Sequence, residues 1–396
     1  MNIAIDGRTI VHNKTGVGAY AERLVRALLQ LDTINNYFLY LVEPNDRIDA
    51  PNLQKILIPG YERMFRNRYF ENFMVPKDVR RYDFDIFFDP AYALPLFPRF
   101  GKILSYIPLP KVLEYFFNSN RKVKYVATIH DVISFIFPQY FTTKMRLWVR
   151  YFVWNAQHVA DRVIADSECT RDDLSKLYPK LSDRITVIYP EVDERMRQVK
   201  DASILSKIRS KYSLPEKFIL YVGTIEPRKN VESISGAYAL LPSALREQYH
   251  LVLGGSIGWY AKKILAEISS HNLKEKTHFI GYVDDEDLPG LYSLASVFVF
   301  PSFYEGFGYP PLEAMACGTP VISSNRSSLP EVVGDAAILV NPTDVAEIST
   351  AIDKVLTDPL LAAELREKGL KRTKMFGWKK CAEETLRVFE KMSAKN

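Results

Sequence analysis

Residues 299–323 read Val-Phe-Pro-Ser-Phe-Tyr-Glu-Gly-Phe-Gly-Tyr-Pro-Pro-Leu-Glu-Ala-Met-Ala-Cys-Gly-Thr-Pro-Val-Ile-Ser. An apolar run typical of a strand ends at Pro301, and a loop with two glycines follows. Pro310-Pro311 favours a first helical turn, where a missing N–H has no consequence. Gly318 is typical of the position just beyond a helix end. The stretch therefore predicts a strand, a glycine loop, a short helix and a second strand.

The glycine loop carries chemistry suited to a phosphorylated ligand. A loop that leads into a helix offers backbone N–H groups and the positive end of the helix dipole to a phosphate. Gly306 and Gly308 let a ligand approach the backbone closely. Glu305 and Glu313 would repel a phosphate, so we expect them to accept hydrogen bonds from hydroxyl groups of the same ligand. A diphosphate between two hydroxyl-rich groups satisfies both conditions, so the loop predicts a nucleotide sugar.

This stretch resembles the signature of the family-4 glycosyltransferases, retaining enzymes with the GT-B fold that use nucleotide-sugar donors. The segments Pro-Ser-x-x-Glu-Gly-Phe-Gly and Glu-Ala-Met-Ala-Cys-Gly-Thr-Pro-Val-Ile match that signature, with seven residues between Glu305 and Glu313. The resemblance implies that Glu305 contacts the transferred sugar, that Glu313 contacts the ribose, and that Gly306, Phe307 and Gly308 line the donor site. For Glu313 alone, the alternative is that it complements the dipole of its helix.

The composition is that of a soluble globular protein. The chain has 396 residues, of which 47% are hydrophobic and 25% charged, which is enough for two domains. No apolar run approaches the ~20 residues of a transmembrane helix, and the N-terminus reads as a strand and not as a signal peptide. Cys169, Cys317 and Cys381 are scattered and are expected to be reduced thiols. We expect a cytoplasmic protein without a nucleic-acid partner.

The positive charge is concentrated in the N-terminal half. Residues 1–200 carry 29 Lys and Arg against 23 Asp and Glu, a net +6, whereas residues 201–396 carry 23 against 24, a net −1. Two segments, 61–81 and 135–154, mix basic with aromatic residues. Such segments favour contact with a lipid-linked acceptor or with the inner face of a membrane. Helices that pack their aromatic side chains on the core are the alternative, and the sequence leaves both open.

Strand-like runs alternate with helical stretches, which predicts parallel sheets covered by helices. The N-terminal runs are 2–6, 37–42, 86–88, 125–129, 163–165 and 185–188. A glycine loop, Thr15–Gly18, follows the first run and resembles a Rossmann turn; the family resemblance places Gly16 at the donor diphosphate or the acceptor, and tight strand–helix packing is the alternative. Asp83-Phe84-Asp85 precedes a strand and so lies at the wrong end for a ligand. We interpret it as a solvated turn, and we find no convincing metal-ligand cluster in the sequence.

His130 follows the run 125–129 at its carboxyl end, where parallel sheets bind ligands. The resembled family has a histidine at this point, beside the transferred sugar. A neutral imidazole would hydrogen-bond a hydroxyl, and an imidazolium would stabilise negative charge. A loop histidine without a function is the alternative. Thr170 and Asp173 predict a capping box that begins a helix.

A second loop, Gly223-Thr-Ile-Glu-Pro-Arg-Lys-Asn230, follows the strand predicted at 218–222. Arg228 and Lys229 therefore lie beyond the carboxyl end of that strand, where two cations can hold a diphosphate and stabilise the leaving nucleotide without a metal. By the resemblance, Lys229 matches the family's lysine. Thr224 stands where the family usually has an arginine, so Arg228 is the candidate for the missing charge.

Two further strand ends complete the candidate donor site. Gly254-Gly255 is expected to line the cleft. The resemblance places backbone contacts to the nucleobase at Tyr282 and Val283; a plain strand–helix turn is the alternative.

The sequence therefore predicts an α/β protein of the GT-B type, with two Rossmann-like domains facing each other across a cleft. We assign residues 1–200 to an acceptor-side domain, to which a C-terminal helix at about 380–396 returns, and residues 201–379 to the donor-binding domain.

The resemblance implies transfer of a hexose from a nucleotide-diphosphate sugar to a hydroxyl of a glycan or lipid-linked acceptor, with retention and without a metal or other cofactor. Asp-Gly-Arg near the start and Gly-Thr-Ile-Glu-Pro-Arg-Lys-Asn resemble bacterial mannosyltransferases of polysaccharide assembly, which suggests GDP-mannose as the donor. A nucleotide-sugar epimerase of the same fold and a non-catalytic sugar-nucleotide-binding protein are the alternatives.

Overall fold

The computed structural model describes residues 1–11, 16–58, 75–91, 94, 123–258, 273 and 275–394. Most of the basic-aromatic segment 61–81 lies outside these residues. The chain divides into two compact units, Met1–Pro190 with Gly377–Asn396, and Glu191–Phe376. The division thus lies at Pro190, whereas the sequence analysis placed it at residue 200, and the returning C-terminal segment begins at Gly377.

A parallel sheet forms the centre of the first unit. Its described strands are β1 (Asn2–Asp6), β2 (Asn36–Leu41), β3 (Leu53–Leu57), β4 (Ile86–Asp89), β5 (Lys124–Ile129), β6 (Arg162–Ala165) and β7 (Ile185–Val187). They lie in the order β3-β2-β1-β4-β5-β6-β7, and every pair is parallel. The order changes direction between β1 and β4, and ligands of such sheets bind beyond the carboxyl ends of the strands at this point.

Helices follow the strands of the first unit. Those described before residue 190 are α1 (Gly16–Leu31), α2 (Val75–Tyr82), α3 (Ile133–Ile136), α4 (Thr143–Val159) and α5 (Glu168–Leu177). Helix α5 begins at Glu168 because the hydroxyl of Ser167 accepts the backbone N–H of Thr170 at 3.0 Å. The predicted capping box of Thr170 and Asp173 is therefore wrong, since Thr170 already lies within the first turn of the helix.

The second unit has a similar plan. Its described strands are β8 (Phe218–Val222), β9 (His250–Gly254), β10 (Thr277–Gly281), β11 (Val297–Phe300), β12 (Val321–Ser324) and β13 (Ile338–Val340). They form a parallel sheet in the order β10-β9-β8-β11-β12-β13. Here the order changes direction between β8 and β11, so the loops that follow these two strands mark the expected ligand site.

The remaining helices surround the second sheet or return to the first. Those of the second unit are α6 (Ala202–Lys211), α7 (Val231–Leu240), α8 (Ser243–Gln248), α9 (Leu288–Leu294), α10 (Tyr309–Ala316), α11 (Leu329–Val333), α12 (Val345–Thr357) and α13 (Pro359–Thr373). The C-terminal helix α14 (Trp378–Ser393) packs in the core of the first unit together with α1. Its Trp378 ring lies 5.9 Å from Tyr20, and its Phe389 ring lies 5.4 Å from Phe88.

Gly255 allows the loops after β8 and β9 to approach each other. It adopts φ +133°, and a Cβ added there would lie 2.0 Å from the carbonyl oxygen of Gly223. The same two loops pair through Ile225 and Ile257, with the N–H of Ile225 donated to Ser256 at 2.9 Å. Glycine is needed at this position because any side chain would prevent the two backbones from coming this close.

Two strands escaped the sequence analysis. β3 is a half-buried edge strand, and β13 is an edge strand of only three residues for which the sequence analysis predicted no strand. The solvated turn predicted at Asp83-Phe84-Asp85 is confirmed, since both aspartates are exposed and Asp85 accepts the N–H of Asn2 at 2.8 Å. Among the described helices, none has the length and apolar character needed to cross a membrane.

Candidate active site

The loops after β8 and β11 lie side by side because these strands are neighbours in the second sheet. The first loop forms a 3₁₀ turn at Pro227–Lys229 and ends at Asn230, which adopts a left-handed conformation with φ 56°. The side-chain amide of Asn230 donates to the carbonyl oxygens of Pro301 and Pro342, at 3.1 and 2.6 Å. This buried amide therefore fixes the cationic turn against the loop that carries Glu305.

Glu305 is the centre of a buried ion cluster. Its Oε2 lies 2.7 Å from Arg228 Nη1, and its Oε1 lies 2.7 Å from Lys229 Nζ. The hydroxyl of Ser302 also donates to Oε1 at 2.7 Å. The two cations predicted from the sequence and the first glutamate of the signature are therefore in direct contact.

Glu226 is the second carboxylate of the cluster, and the sequence analysis did not predict its role. Its Oε1 accepts Nε and Nη2 of Arg228 at 3.0 and 2.6 Å. The guanidinium is thus held on one side by Glu226, and its Nη1 points to Glu305 and to the carbonyl oxygen of Tyr304 at 2.8 Å. The four side chains of Glu226, Arg228, Lys229 and Glu305 carry two negative and two positive charges, so the cluster is neutral overall.

Burial alone would raise the pKa of Glu305, but Arg228, Lys229 and the hydrogen bonds from Lys229 and Ser302 outweigh it and lower the pKa to about 2. Burial lowers the pKa of Lys229, and the neighbouring charge of Arg228 acts in the same direction. The opposing charge of Glu305 limits that shift. Glu305 is therefore ionised at neutral pH.

Lys229 retains hydrogen-bonding capacity for an anion. Its ammonium has three N–H donors, and Glu305 is its hydrogen-bond partner among the described residues. The ammonium also lies 5.0 Å from the centre of the Phe300 ring, a cation–π contact that places it at the end of β11. The other N–H bonds of Lys229 can reach a phosphate without breaking the pair with Glu305.

The glycine loop is fixed from both sides. Gly308 precedes α10 with φ +110°, a conformation that favours glycine, and a Cβ there would lie 2.7 Å from a methyl group of Leu329, which would have to shift. The hydroxyl of Ser328 lies 2.9 Å from the carbonyl oxygen of Glu305 and 2.7 Å from that of Phe307. Half-buried Gly306 lies between these two residues. The buried Phe307 ring packs on Phe376 at 5.7 Å.

Glu313 lies on the first turns of α10 and is half-buried. Its Oε2 accepts the hydroxyl of the buried Tyr292 at 3.1 Å. At the end of β10, Tyr282 is 64% exposed whereas Val283 is buried. The side chain of Tyr282 is thus available to a ligand, and Val283 packs in the unit close to Gly254.

In the first unit, His130 follows β5 and is held by two acceptors. Its Nδ1 lies 2.6 Å from Asp166 Oδ2, and its Nε2 lies 2.8 Å from the carbonyl oxygen of Pro90. Burial would lower the pKa of His130, but the charge and hydrogen bond of Asp166 outweigh it, with a smaller effect of Asp131, and the pKa is raised. Both ring nitrogens of His130 therefore lie within hydrogen-bond distance of an acceptor oxygen.

Gly16 begins α1, and a Cβ added there would meet none of the described residues within 4 Å. Tight strand–helix packing therefore does not explain this glycine. Thr15, the residue before it in the predicted Rossmann-like turn, lies outside the described residues.

Comparison with known protein families gives one match for the part of the chain that contains each sheet. The family described as "Glycosyl transferases group 1" matches residues 206–372, and the family described as "Glycosyltransferase Family 4" matches residues 14–195. O-antigen chain mannosyltransferase B of Escherichia coli is 36% identical over 277 residues, which are 69% of this chain and 72% of that protein.

The chain belongs to the family-4 glycosyltransferases. The serotype-specific mannosyltransferase WbdA of Escherichia coli is 34% identical over 282 residues, which are 68% of this chain but only 34% of that longer relative. Sucrose-phosphate synthase from Thermosynechococcus elongatus has the same GT-B fold, with a TM-score of 0.74, 23% identity and 100% coverage of both chains.

In this glycosyltransferase, three residues were not predicted from the sequence, and each is a partner of a predicted residue of its own unit. Glu226 holds Arg228, Ser302 donates to Glu305, and Asp166 accepts from His130. Glu226 stands two residues before Arg228 in one turn, and that spacing was the available signal. Ser302 and Asp166 carried no comparable signal, since a serine or aspartate after a strand is common in solvated loops.

Removing the charge of Glu305 should destabilise the second unit. Glu305→Gln leaves one uncompensated positive charge in the buried cluster, a change that costs about 3 kcal/mol or more. In a unit of this size that is a fall in Tm of roughly 10 °C. Glu313→Gln is the matched control, because the amide oxygen still accepts the Tyr292 hydroxyl, and its Tm should stay within about 2 °C of the wild type.

The low pKa of Glu305 also predicts how the loss of stability in Glu305→Gln changes with pH. The folded-state pKa of Glu305 lies below its ordinary value, so its stabilisation is fully present above about pH 4.5 and is lost as the pH falls towards about 2. The difference in Tm between the wild type and Glu305→Gln should therefore shrink as the pH is lowered through this range. An equal Tm for the two proteins at neutral pH would contradict the role given to the ion cluster.

Proposed function

We propose that this glycosyltransferase is a retaining hexosyltransferase that moves mannose from GDP-mannose to a hydroxyl of a glycan or lipid-linked acceptor. The observation that carries the proposal is the position of Glu305, held ionised beside Arg228 and Lys229 at the point where the second sheet changes direction. Relatives whose printed names are O-antigen chain mannosyltransferase B and WbdA support mannose as the sugar.

In the proposed donor site, each residue group contacts a different part of the nucleotide sugar. Arg228 and Lys229 contact the diphosphate, Glu305 accepts a hydroxyl of the transferred sugar, and Glu313 accepts a hydroxyl of the ribose. The backbone of Gly306, Phe307 and Gly308 approaches the donor, and Tyr282 and Val283 contact the base.

The proposed reaction is a same-face substitution. The acceptor oxygen forms a bond to the anomeric carbon as the bond from that carbon to the phosphate oxygen breaks, and GDP leaves. The acceptor's proton passes to an oxygen of the departing phosphate. Arg228 and Lys229 stabilise the negative charge that develops on the leaving diphosphate, an effect that preorganised donors supply most strongly in a buried site. These cations lead us to propose that turnover needs no divalent metal.

Calorimetry with GDP, UDP, ADP and dTDP, followed by turnover with the matching mannose and glucose donors, tests this proposal. We expect the tightest binding for GDP, transfer or slow hydrolysis of GDP-mannose, and an α-linked product from the α-linked donor. Turnover should survive excess chelator.

A tenfold loss of turnover restored by magnesium or manganese would overturn the metal-free reaction. Tight binding of a nucleotide sugar without transfer or hydrolysis would favour the binding-protein alternative, and a product still attached to the nucleotide would favour an epimerase.

The two glutamates should differ in kinetics. The sugar gains positive charge in the transition state whereas the ribose barely changes, and an interaction that strengthens in the transition state affects kcat. Glu305→Gln should therefore lower kcat by roughly 10²-fold or more. Glu313→Gln should raise the donor KM roughly tenfold, the effect of about 1.4 kcal/mol. Assays run well below the Tm of each variant separate these effects from unfolding. A wild-type kcat for Glu305→Gln would show that the reacting end of the donor is assigned wrongly.

The proposal includes peripheral contact with the inner face of the membrane. The 29 residues between Asp131 and Asp161 contain no acidic residue, but they include three basic residues, Lys144, Arg146 and Arg150. Within this segment, Met145, Leu147 and Trp154 of α4 are exposed apolar side chains. Basic and exposed apolar residues on one helix are typical of segments that bind anionic lipid.

Sedimentation with phosphatidylglycerol-containing vesicles at low and high salt tests this contact. We expect salt-sensitive binding that Leu147→Ser weakens. Ile34→Ser is the matched control, since Ile34 is a lone apolar side chain of the same unit and is 90% exposed. Absence of binding at low salt would mean that α4 serves the core.

A further inference from the structure

His130 lies between a carboxylate and a main-chain carbonyl, one at each ring nitrogen. The carboxylate of Asp166 accepts at Nδ1, over 2.6 Å, and the main-chain carbonyl of Pro90 accepts at Nε2, over 2.8 Å. A neutral imidazole has one N–H and would leave one of these contacts as two facing lone pairs. When Asp166 is a carboxylate, both contacts are satisfied together only if the ring carries a proton on each nitrogen.

The surroundings of His130 hold the ring in this orientation. Its backbone carbonyl accepts the hydroxyl of Thr170, from α5, at 3.2 Å. From α1, the ring of Tyr20 meets the imidazole edge to face, with centroids 4.8 Å apart. Asp131 is the next residue along the chain, and its Oδ1 accepts a hydrogen bond from the backbone N–H of Ile133. The carboxylate that faces the ring directly is therefore that of Asp166.

The position of Asp166 directs its carboxylate to His130. It follows β6, the neighbour of β5 in the sheet, and is 2% exposed. Its Oδ1 has no hydrogen-bond partner among the described residues, so the contact of Oδ2 with the imidazole is the only side-chain hydrogen bond found there for this carboxylate. A buried carboxylate with one partner strongly favours the charged form of that partner, because its own charge is otherwise uncompensated.

We propose that Asp166 is a positioning residue that keeps His130 as an imidazolium, with both N–H groups donated inside the first unit. In this state His130 supplies a fixed positive charge and has no lone pair to accept a proton. It therefore does not act as a general base toward the acceptor hydroxyl. This inference rests on the proposed function and deepens it, since it leaves the donor phosphate as the acceptor of that proton.

The protonation state of His130 can be observed directly. Protein labelled with ¹⁵N in the histidine rings gives separate signals for protonated and unprotonated ring nitrogens, and the loss of one pair of signals in His130→Gln identifies the two nitrogens of His130. At about pH 8, well above the ordinary histidine pKa of ~6.5, we expect both nitrogens of His130 to be protonated. A ring with one protonated nitrogen at this pH would overturn the proposal, and this reading needs only the wild-type protein once the signal is identified.

Asp166→Asn isolates the effect of the carboxylate. The asparagine amide donates to Nδ1, the ring keeps its N–H to Pro90, and His130 should become neutral at about pH 8. Asp131→Asn is the matched control, because it removes a nearby charge that does not bond to the ring, and His130 should remain an imidazolium. An imidazolium that persists in Asp166→Asn would show that Asp166 does not set the charge.

Turnover provides a second readout. In Asp166→Asn, kcat should fall at about pH 8 and recover as the pH is lowered through ~6.5 and the ring is protonated. His130→Gln should show no such recovery. An Asp166→Asn profile that matches that of the wild type would contradict the catalytic importance of the charge. Failure of the wild type to transfer mannose would refute the proposed function and would leave the ¹⁵N result to decide the state of His130.

Discussion

The buried pairing of Glu305 with Arg228 and Lys229 determines the form of the candidate donor site. Moving isolated charges out of water is very unfavourable, and a buried ion pair is tolerated only when its geometry and hydrogen bonds compensate for the lost hydration. Here two carboxylates and two cations balance, with contacts of 2.6–2.7 Å between opposite charges. The same residues join the loops after β8 and β11 through the backbone, since the N–H of Phe303 is donated to the carbonyl of Arg228 at 2.9 Å. The start of the glycine loop is therefore fixed by the cluster.

Many residues of this site could be predicted from sequence patterns, but the contacts between residues that are distant in sequence could not. Gly308 and Pro310 indicate a loop that leads into a helix, and both lie where the pattern placed them. Lys229 and Glu305 are 76 positions apart. Their contact depends on β8 and β11 being neighbours, which strand periodicity does not determine. The contact of Glu226 with Arg228 could not be predicted either, because a carboxylate in a polar turn is usually solvated.

The errors in the fold have similar physical causes. β3 reads Leu-Gln-Lys-Ile-Leu, an edge strand without a buried face, so it lacks the continuous apolar run by which the central strands were recognised. β13 is three residues long, too short for any period to be visible. The start of α5 was misplaced because both Ser167 and Thr170 can cap a helix, and the choice depends on where β6 ends. The positions of β3, β13 and the start of α5 thus depend on contacts with the rest of the fold, which local sequence patterns do not show.

Both units use a buried carboxylate to orient a cationic side chain at the carboxyl end of a parallel strand. Asp166 faces His130 in the first unit, and Glu226 faces Arg228 in the second. A flexible or titratable cation on a loop would lose much of its interaction with a ligand to side-chain reorganisation. A carboxylate behind it sets both charge and direction before the ligand arrives, and preorganised charge of this kind stabilises a transition state without further rearrangement.

The neutrality of the cluster in the second unit has a consequence for how a diphosphate would be recognised. A cluster with no net charge exerts little long-range attraction, so affinity must come from short, directed N–H contacts. Lys229 can offer such contacts while it remains paired with Glu305, and the backbone around Gly306 and Gly308 can offer more. In this arrangement Glu305 compensates the charges of the buried cations, and in the proposed donor complex the same carboxylate would accept a hydroxyl of the sugar. One ionised side chain thus links the stability of the second unit to its proposed chemistry.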